Sequence, residues 1–160
     1  MDAAAAFLAV RPRSVSETSR RLQHLGYPAP LVQQVVERLI EMGYLDDAAF
    51  TRAWVESRDR AAPRGESALR RELALKGVPW PLIDEVLAER DEGGLAGGSE
   101  RAAAQALLAR RRATLEREPD ARKLRQKAYA LLARSGFDPE TCRDVSRAFA
   151  SEPEADEAYE

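Results

Sequence analysis

Three stretches of the chain repeat one pattern, and that repeat narrows the possible folds more than any other feature. LQHLGYPAPLVQQVV from Leu22, LALKGVPWPLIDEVL from Leu73 and LARSGFDPETCRDVS from Leu132 each place a leucine four residues before a glycine. An apolar residue follows the glycine (Tyr27, Val78, Phe137). Small or apolar residues then recur at Val32, Ile83 and Cys142, and again at Val35, Val86 and Val145. Gly26, Gly77 and Gly136 lie 51 and 59 residues apart, and the longer interval contains a glycine-rich stretch. A period this long accommodates three helices per unit. Alanine, leucine, arginine and glutamate dominate and runs of β-branched residues are missing, which favours helix throughout. The expected fold is therefore all-α, built of three tandem three-helix modules. The expected boundaries are 1–43, 44–90 and 99–150, with a Gly-rich linker at 91–98 and an acidic, disordered tail at 151–160. Each module has too little core to be robust alone, so neighbours are expected to pack.

The stretch ERLIEMGYLDDAAF, residues 37–50, marks the join between the first two modules. Gly43 reads as a left-handed C-cap, after which Tyr44 and Leu45 fold back onto the helix just ended. Asp46 or Asp47 caps the next helix, whose first apolar anchor is Phe50. Ahead of the elbow, Leu31, Val32, Val35, Val36, Leu39 and Ile40 recur at helical spacing and form the firmest core expectation of module 1. Ser14 or Ser16 caps the preceding helix; Ser16 is followed three residues later by Ser19, so no full capping box is expected. Beyond the elbow, Phe50, Ala53, Trp54 and Ser57 share a face. Trp54 reads as core, while Trp80, between two prolines, reads as exposed.

Catalytic chemistry is not visible. His24 is the sole histidine and Cys142 the sole cysteine, so neither a zinc set nor an internal disulfide can be assembled. Cys142 falls on the expected buried face of the last helix and reads as a core thiol. Gly93, Gly94, Gly97 and Gly98 follow no strand and precede no Gly-Lys-Ser/Thr, so they form no phosphate loop. No enzyme, metal or cofactor is expected. The chain has no apolar run near membrane-spanning length and its start lacks a basic lead, so a cytoplasmic protein is expected.

Charge is unevenly spread. The total is -2. Residues 1–100 carry 13 basic and 16 acidic groups, residues 101–147 carry 12 and 6, and residues 148–160 carry five acids and no base. A basic third module followed by an acidic tail could meet nucleic acid or an acidic protein face.

Gly43-Tyr44-Leu45-Asp46-Asp47 followed by Phe50 resembles the signature of the RecX family, the regulatory proteins of the RecA recombinase. Arg11-Pro12-Arg13-Ser14, Leu22 to Gly26 with Tyr27, and Arg70-Arg71-Glu72-Leu73 with Lys76-Gly77-Val78 add to the resemblance, which covers residues 1–90 well and 99–149 more weakly. The chain departs from the family pattern at Gly65-Glu66, where Gly-Pro is frequent, and in its slightly acidic total. The resemblance implies an all-α fold of three tandem three-helix modules forming an elongated curved protein, and a non-enzymatic inhibitor of RecA that binds the RecA–DNA filament, acts in recombination, repair and the SOS response, and often binds DNA. It favours a basic partner-binding edge at Arg58, Arg60, Arg64, Arg70, Arg71 and Lys76. A second basic field lies at Arg110, Arg111, Arg112, Arg122, Lys123, Arg125 and Lys127. Arginine suits either role because its planar fork pairs with carboxylate or phosphate. The structural signature comprises Leu22, Gly26, Tyr27, Gly43, Tyr44, Leu45, Asp46, Asp47, Phe50, Leu73 and Gly77. A monomer is expected. The alternatives are a direct DNA-binding helical protein, against which the acids around Arg38 argue, and a helical interaction scaffold.

Overall fold

The computed structural model describes residues 1–95 and 98–151. The described residues form nine helices: α1 (Asp2–Val10), α2 (Val15–His24), α3 (Ala29–Glu41), α4 (Asp47–Ala61), α5 (Glu66–Leu75), α6 (Trp80–Asp91), α7 (Glu100–Leu115), α8 (Ala121–Arg134) and α9 (Pro139–Ser151). They group in threes around three separate apolar cores. The acidic tail from Glu152 onward, and Ala96 and Gly97 of the expected linker, lie outside the described residues.

Local chemistry sets the helix ends. Ser14 caps α2 and the capping box is complete: its hydroxyl accepts the Glu17 N–H at 3.0 Å, and the Glu17 carboxylate accepts the Ser14 N–H at 3.1 Å. The expectation of no box was wrong, because it counted from Ser16 instead of Ser14. At the elbow Gly43 has φ 74° and the Tyr44 N–H reaches back to the Leu39 carbonyl at 2.9 Å. Only Leu45 folds onto the core; Tyr44 stands out in solvent. Asp46 is the cap of α4, accepting the N–H groups of Ala48 and Ala49.

The cores follow the repeat with two refinements. In module 1, Val32, Val36 and Leu39 are buried, but Leu31 and Ile40 are exposed, because they flank the apolar stripe instead of lying along its centre. Leu45 packs in the first core although sequence placed it in module 2, and Leu95 packs in the second core although sequence placed it in the linker. Each comes two residues after the glycine that ends its module's third helix, so the fold-back at the elbow is itself repeated. Cys142 is buried, Trp80 is exposed and Trp54 is half-buried.

The modules join by one repeated contact. The start of α2 meets the end of α5: the Ser14 hydroxyl donates to the Lys76 carbonyl at 2.5 Å. The start of α5 meets the end of α8 in the same way: the Gly65 N–H donates to the Ser135 carbonyl at 3.0 Å, and the Ser67 hydroxyl to the Gly136 carbonyl at 2.8 Å. The positive end of one helix thus faces the negative end of the next. Glycine is required for the approach. A Cβ on Gly77 would stand 2.2 Å from the Ser16 hydroxyl oxygen, and one on Gly136 would stand 2.6 Å from the Ala68 Cβ. The first residue of each following module's first helix completes the joint. Asp47 of α4 accepts the Val15 N–H at 2.9 Å, and Glu100 of α7 accepts the Glu66 N–H at 2.8 Å. The adjacent Asp46 and Asp47 therefore divide their work between capping and module joining. In α8, the residue eight before the repeat leucine is Leu124, inside the helix, where α2 and α5 have their caps Ser14 and Gly65. The third module's second helix begins a turn earlier than its counterparts.

Candidate partner-binding surface

Two regions bring basic side chains together. The first is a groove of about 610 Å³ between modules 1 and 2. Trp54 forms one wall, and its indole N–H donates to Glu72 at 2.9 Å. Arg58 lies over the ring, 5.0 Å from its centre, and bonds the same Glu72 oxygen at 2.8 Å. Lys76 approaches the ring at 5.1 Å and pairs with Glu17 at 3.2 Å. Burial pushes the Glu17 carboxyl up, but the Ser14 N–H, Arg11 and Lys76 together hold it below its ordinary value. Arg20, Arg21 and the exposed His24 and Leu75 line the outer rim. Arg64 approaches Glu72 more distantly, at 3.9 Å.

The expected basic edge is thus split by internal pairing. Arg58 and Lys76 are held in the groove, Arg70 is bound to Glu66 and Asp84, and Arg60 and Arg71 project into solvent. An arginine already pairing a carboxylate must exchange that partner to bind another, which lowers its net contribution to association.

The second region is module 3. Arg110 belongs to the module joint and not to a free basic face: its guanidinium donates to the Ala61 carbonyl at 2.7 Å and to the Arg60 carbonyl, closing the C-terminal end of α4. Arg112 stacks over Phe149 at 4.8 Å and pairs with Glu116. Lys127 pairs with Glu118, and that bond holds the Glu118 carboxyl below its ordinary value. Arg111, Arg122, Lys123 and Arg125 are exposed. Arg125 joins Arg143 and Arg147 of α9 around the half-buried Tyr129, in a cleft of about 310 Å³. Sequence reasoning passed over Arg143 and Arg147, although their four-residue spacing already put them on one face of α9.

Between modules 2 and 3 lies a buried ionic joint. Arg90 is fully buried and bonds Asp59 through two nitrogens, at 2.7 and 3.0 Å, Glu100 at 3.3 Å, and the Arg64 carbonyl at 3.1 Å. In the repeat, Arg90 occupies the place of the core residues Leu39 and Phe149. Burial raises the Asp59 carboxyl above its ordinary value despite Arg90. Burial likewise raises Glu100 to about 7, against the opposing pull of the Glu66 N–H, the Asp138 N–H and Arg90.

Among the described residues no group of histidine, cysteine and acidic side chains could hold a metal ion. Cys142 is buried, and burial raises its thiol above the ordinary value, so it is a poor nucleophile. The surface comprises a groove between modules 1 and 2 and a cleft within module 3, each bringing arginines around an aromatic ring. The fold that carries them is a stack of three-helix repeats.

The three modules each match a family model: RecX first three-helix domain over residues 1–39, second over 46–87 and third over 99–145. The chain belongs to the RecX family. It is 37% identical over 139 residues to "Regulatory protein RecX" of Mycobacterium sp. (strain JLS), covering 86% of this chain and 74% of the relative. It is 34% identical over 154 residues to the same-named protein of Mycobacterium tuberculosis (strain ATCC 25177 / H37Ra), covering 92% and 84%. The fold is similar to the crystal structure of RecX from Lactobacillus salivarius, with a TM-score of 0.78, 15% identity and 92% of each chain covered.

Proposed function

We propose that this chain is a non-enzymatic modulator of the RecA recombinase, and that it inhibits by docking along the RecA–DNA filament during recombination and repair. The observation that carries the reading is family membership across all three modules. A stack of modules offers an extended surface, which suits a helical polymer better than a compact ligand. The Trp54 groove and the exposed Arg60 and Arg71 supply a protein-facing side. The Arg125–Arg143–Arg147 cleft favours contact with the nucleic-acid backbone as well, because these guanidiniums have no carboxylate partner among the described residues. Of the basic residues expected at the interface, Arg111, Arg122, Lys123 and Arg125 are the ones this reading assigns to phosphate. No described helix is long and apolar enough to cross a membrane; the reading is of a cytoplasmic monomer.

Co-sedimentation with ATP-loaded recombinase filaments, with DNA alone as control, tests the proposal. Pelleting with filaments is the expected result, and failure to pellet with them would overturn it. Equal binding to bare DNA, falling steeply with salt, would favour the direct DNA-binding alternative.

A further inference from the structure

The joint between modules occurs twice, filled, and a third copy of it stands open on module 1. Each filled copy has three parts. The residue capping the end of the second helix offers its carbonyl: Lys76 to Ser14, Ser135 to Gly65. The glycine that follows makes room for the incoming helix start. The first residue of the module's first helix is an acid that accepts the incoming helix's first N–H: Asp47 from Val15, Glu100 from Glu66.

Module 1 carries all three parts. Leu25 caps α2, Gly26 follows with φ 88°, and Asp2 is the first residue of α1. None is engaged among the described residues. A Cβ on Gly26 would meet nothing within 4 Å, and Asp2 is exposed without a partner. The surround is apolar. Tyr27 is 43% exposed, whereas its counterparts Val78 and Phe137 are 4% and 5% exposed. Leu25 and Leu31 are exposed beside it, and a small cavity brings Met1 and Ala3 against Tyr27 and Leu31, so the α1 start and the α2 end form one surface.

We infer that this open end of module 1 is a docking socket for the first turn of a helix on the protein the chain binds. The incoming turn has a small residue, serine or glycine, at its cap and a small residue two positions on. The filled copies dictate that chemistry, since Ser14 with Ser16 and Gly65 with Ser67 are what they hold. A second copy of this chain does not supply such a turn. Its α2 and α5 starts are already seated, and α8 carries Leu124 at the corresponding place, inside the helix. The inference rests on the filament reading and assigns the helix to the recombinase.

Gly26→Asn combined with Asp2→Lys tests it. Asparagine tolerates the left-handed backbone and fills the space the incoming turn needs, and lysine removes the acceptor and repels a helix N-terminus. Both positions are open in the free chain, so the melting temperature should stay within a few degrees. Titration against recombinase–single-stranded-DNA filaments should show affinity reduced by about tenfold or more. Wild-type and variant chains that bind the filament equally would overturn the socket and leave the filament reading standing. A wild-type chain that does not bind would overturn both. Concentration-dependent dimerisation of the wild type that the variant abolishes would assign the socket to a second copy and overturn the recombinase as occupant.

Discussion

The two joints between modules share one plan and differ in what surrounds it. Between modules 1 and 2, Asp47 receives the helix start and the supporting ion pair, Glu17 with Lys76, sits at the rim of a groove, partly in water. Between modules 2 and 3, Glu100 receives it, and the supporting cation is Arg90, wholly buried and shared with Asp59. Water screens the first pair and leaves it weakly stabilising, while the second cannot lose a partner without stranding a buried charge. The same backbone contact is therefore adjustable at one joint and rigid at the other.

Arg90→Ala should break this contrast most severely. It strands Asp59 and Glu100 and should cost about 3–5 kcal/mol, measured by urea unfolding. A loss below about 1 kcal/mol would mean the joint is not electrostatically locked. Gly65→Ala comes next. Its Cβ would stand 2.2 Å from the Gly136 backbone, and backbone cannot rotate aside as the Ser16 side chain opposite Gly77 can. The expected cost is about 1–3 kcal/mol, with amide exchange quickening first across α7–α9.

The third test sharpens the comparison through pH. Glu100 has its carboxyl raised from 4.5 to about 7 in the fold, so the folded state binds the proton more tightly than the unfolded one. This group favours folding most below pH 4.5, and its contribution declines as pH rises toward 7. Comparing melts of wild type and Glu100→Gln across that window should show a steeper fall with rising pH for the wild type. Parallel curves would refute it. The smallest effect is expected for Lys76→Ala, about 0–1 kcal/mol in stability, read alongside Trp54 fluorescence, which should change because the cation leaves the ring.

Much of the fold was legible because it is written in repeats. The Leu-x-x-x-Gly pattern located every second helix, and Gly43 located the elbow. What escaped was the chemistry between modules. Asp47 and Glu100 look like ordinary acids in a first helical turn, and only the fold brings Val15 and Glu66 to them across 32 and 34 residues. Arg90 breaks an apolar pattern that Leu39 and Phe149 keep, a signal present in the sequence but meaningful only once the three units are aligned. The candidate surface was less legible still. A run of cations records charge but not pairing, so Arg110 and Arg125 read alike, although one bonds the carbonyls at the end of α4 and the other lines a cleft with Arg143 and Arg147.

The early start of α8 bears on how such a chain could be engineered. A longer array built from these parts could be extended ahead of module 1 by a further module whose second helix begins Ser-x-Ser or Gly-x-Ser, because the receiving carbonyl, glycine and acid are already in place. Extension beyond α9 would first require cutting the helical turn at Ala121–Leu124 back to a cap, since a helix that continues past the joining position has no free N–H groups to offer there.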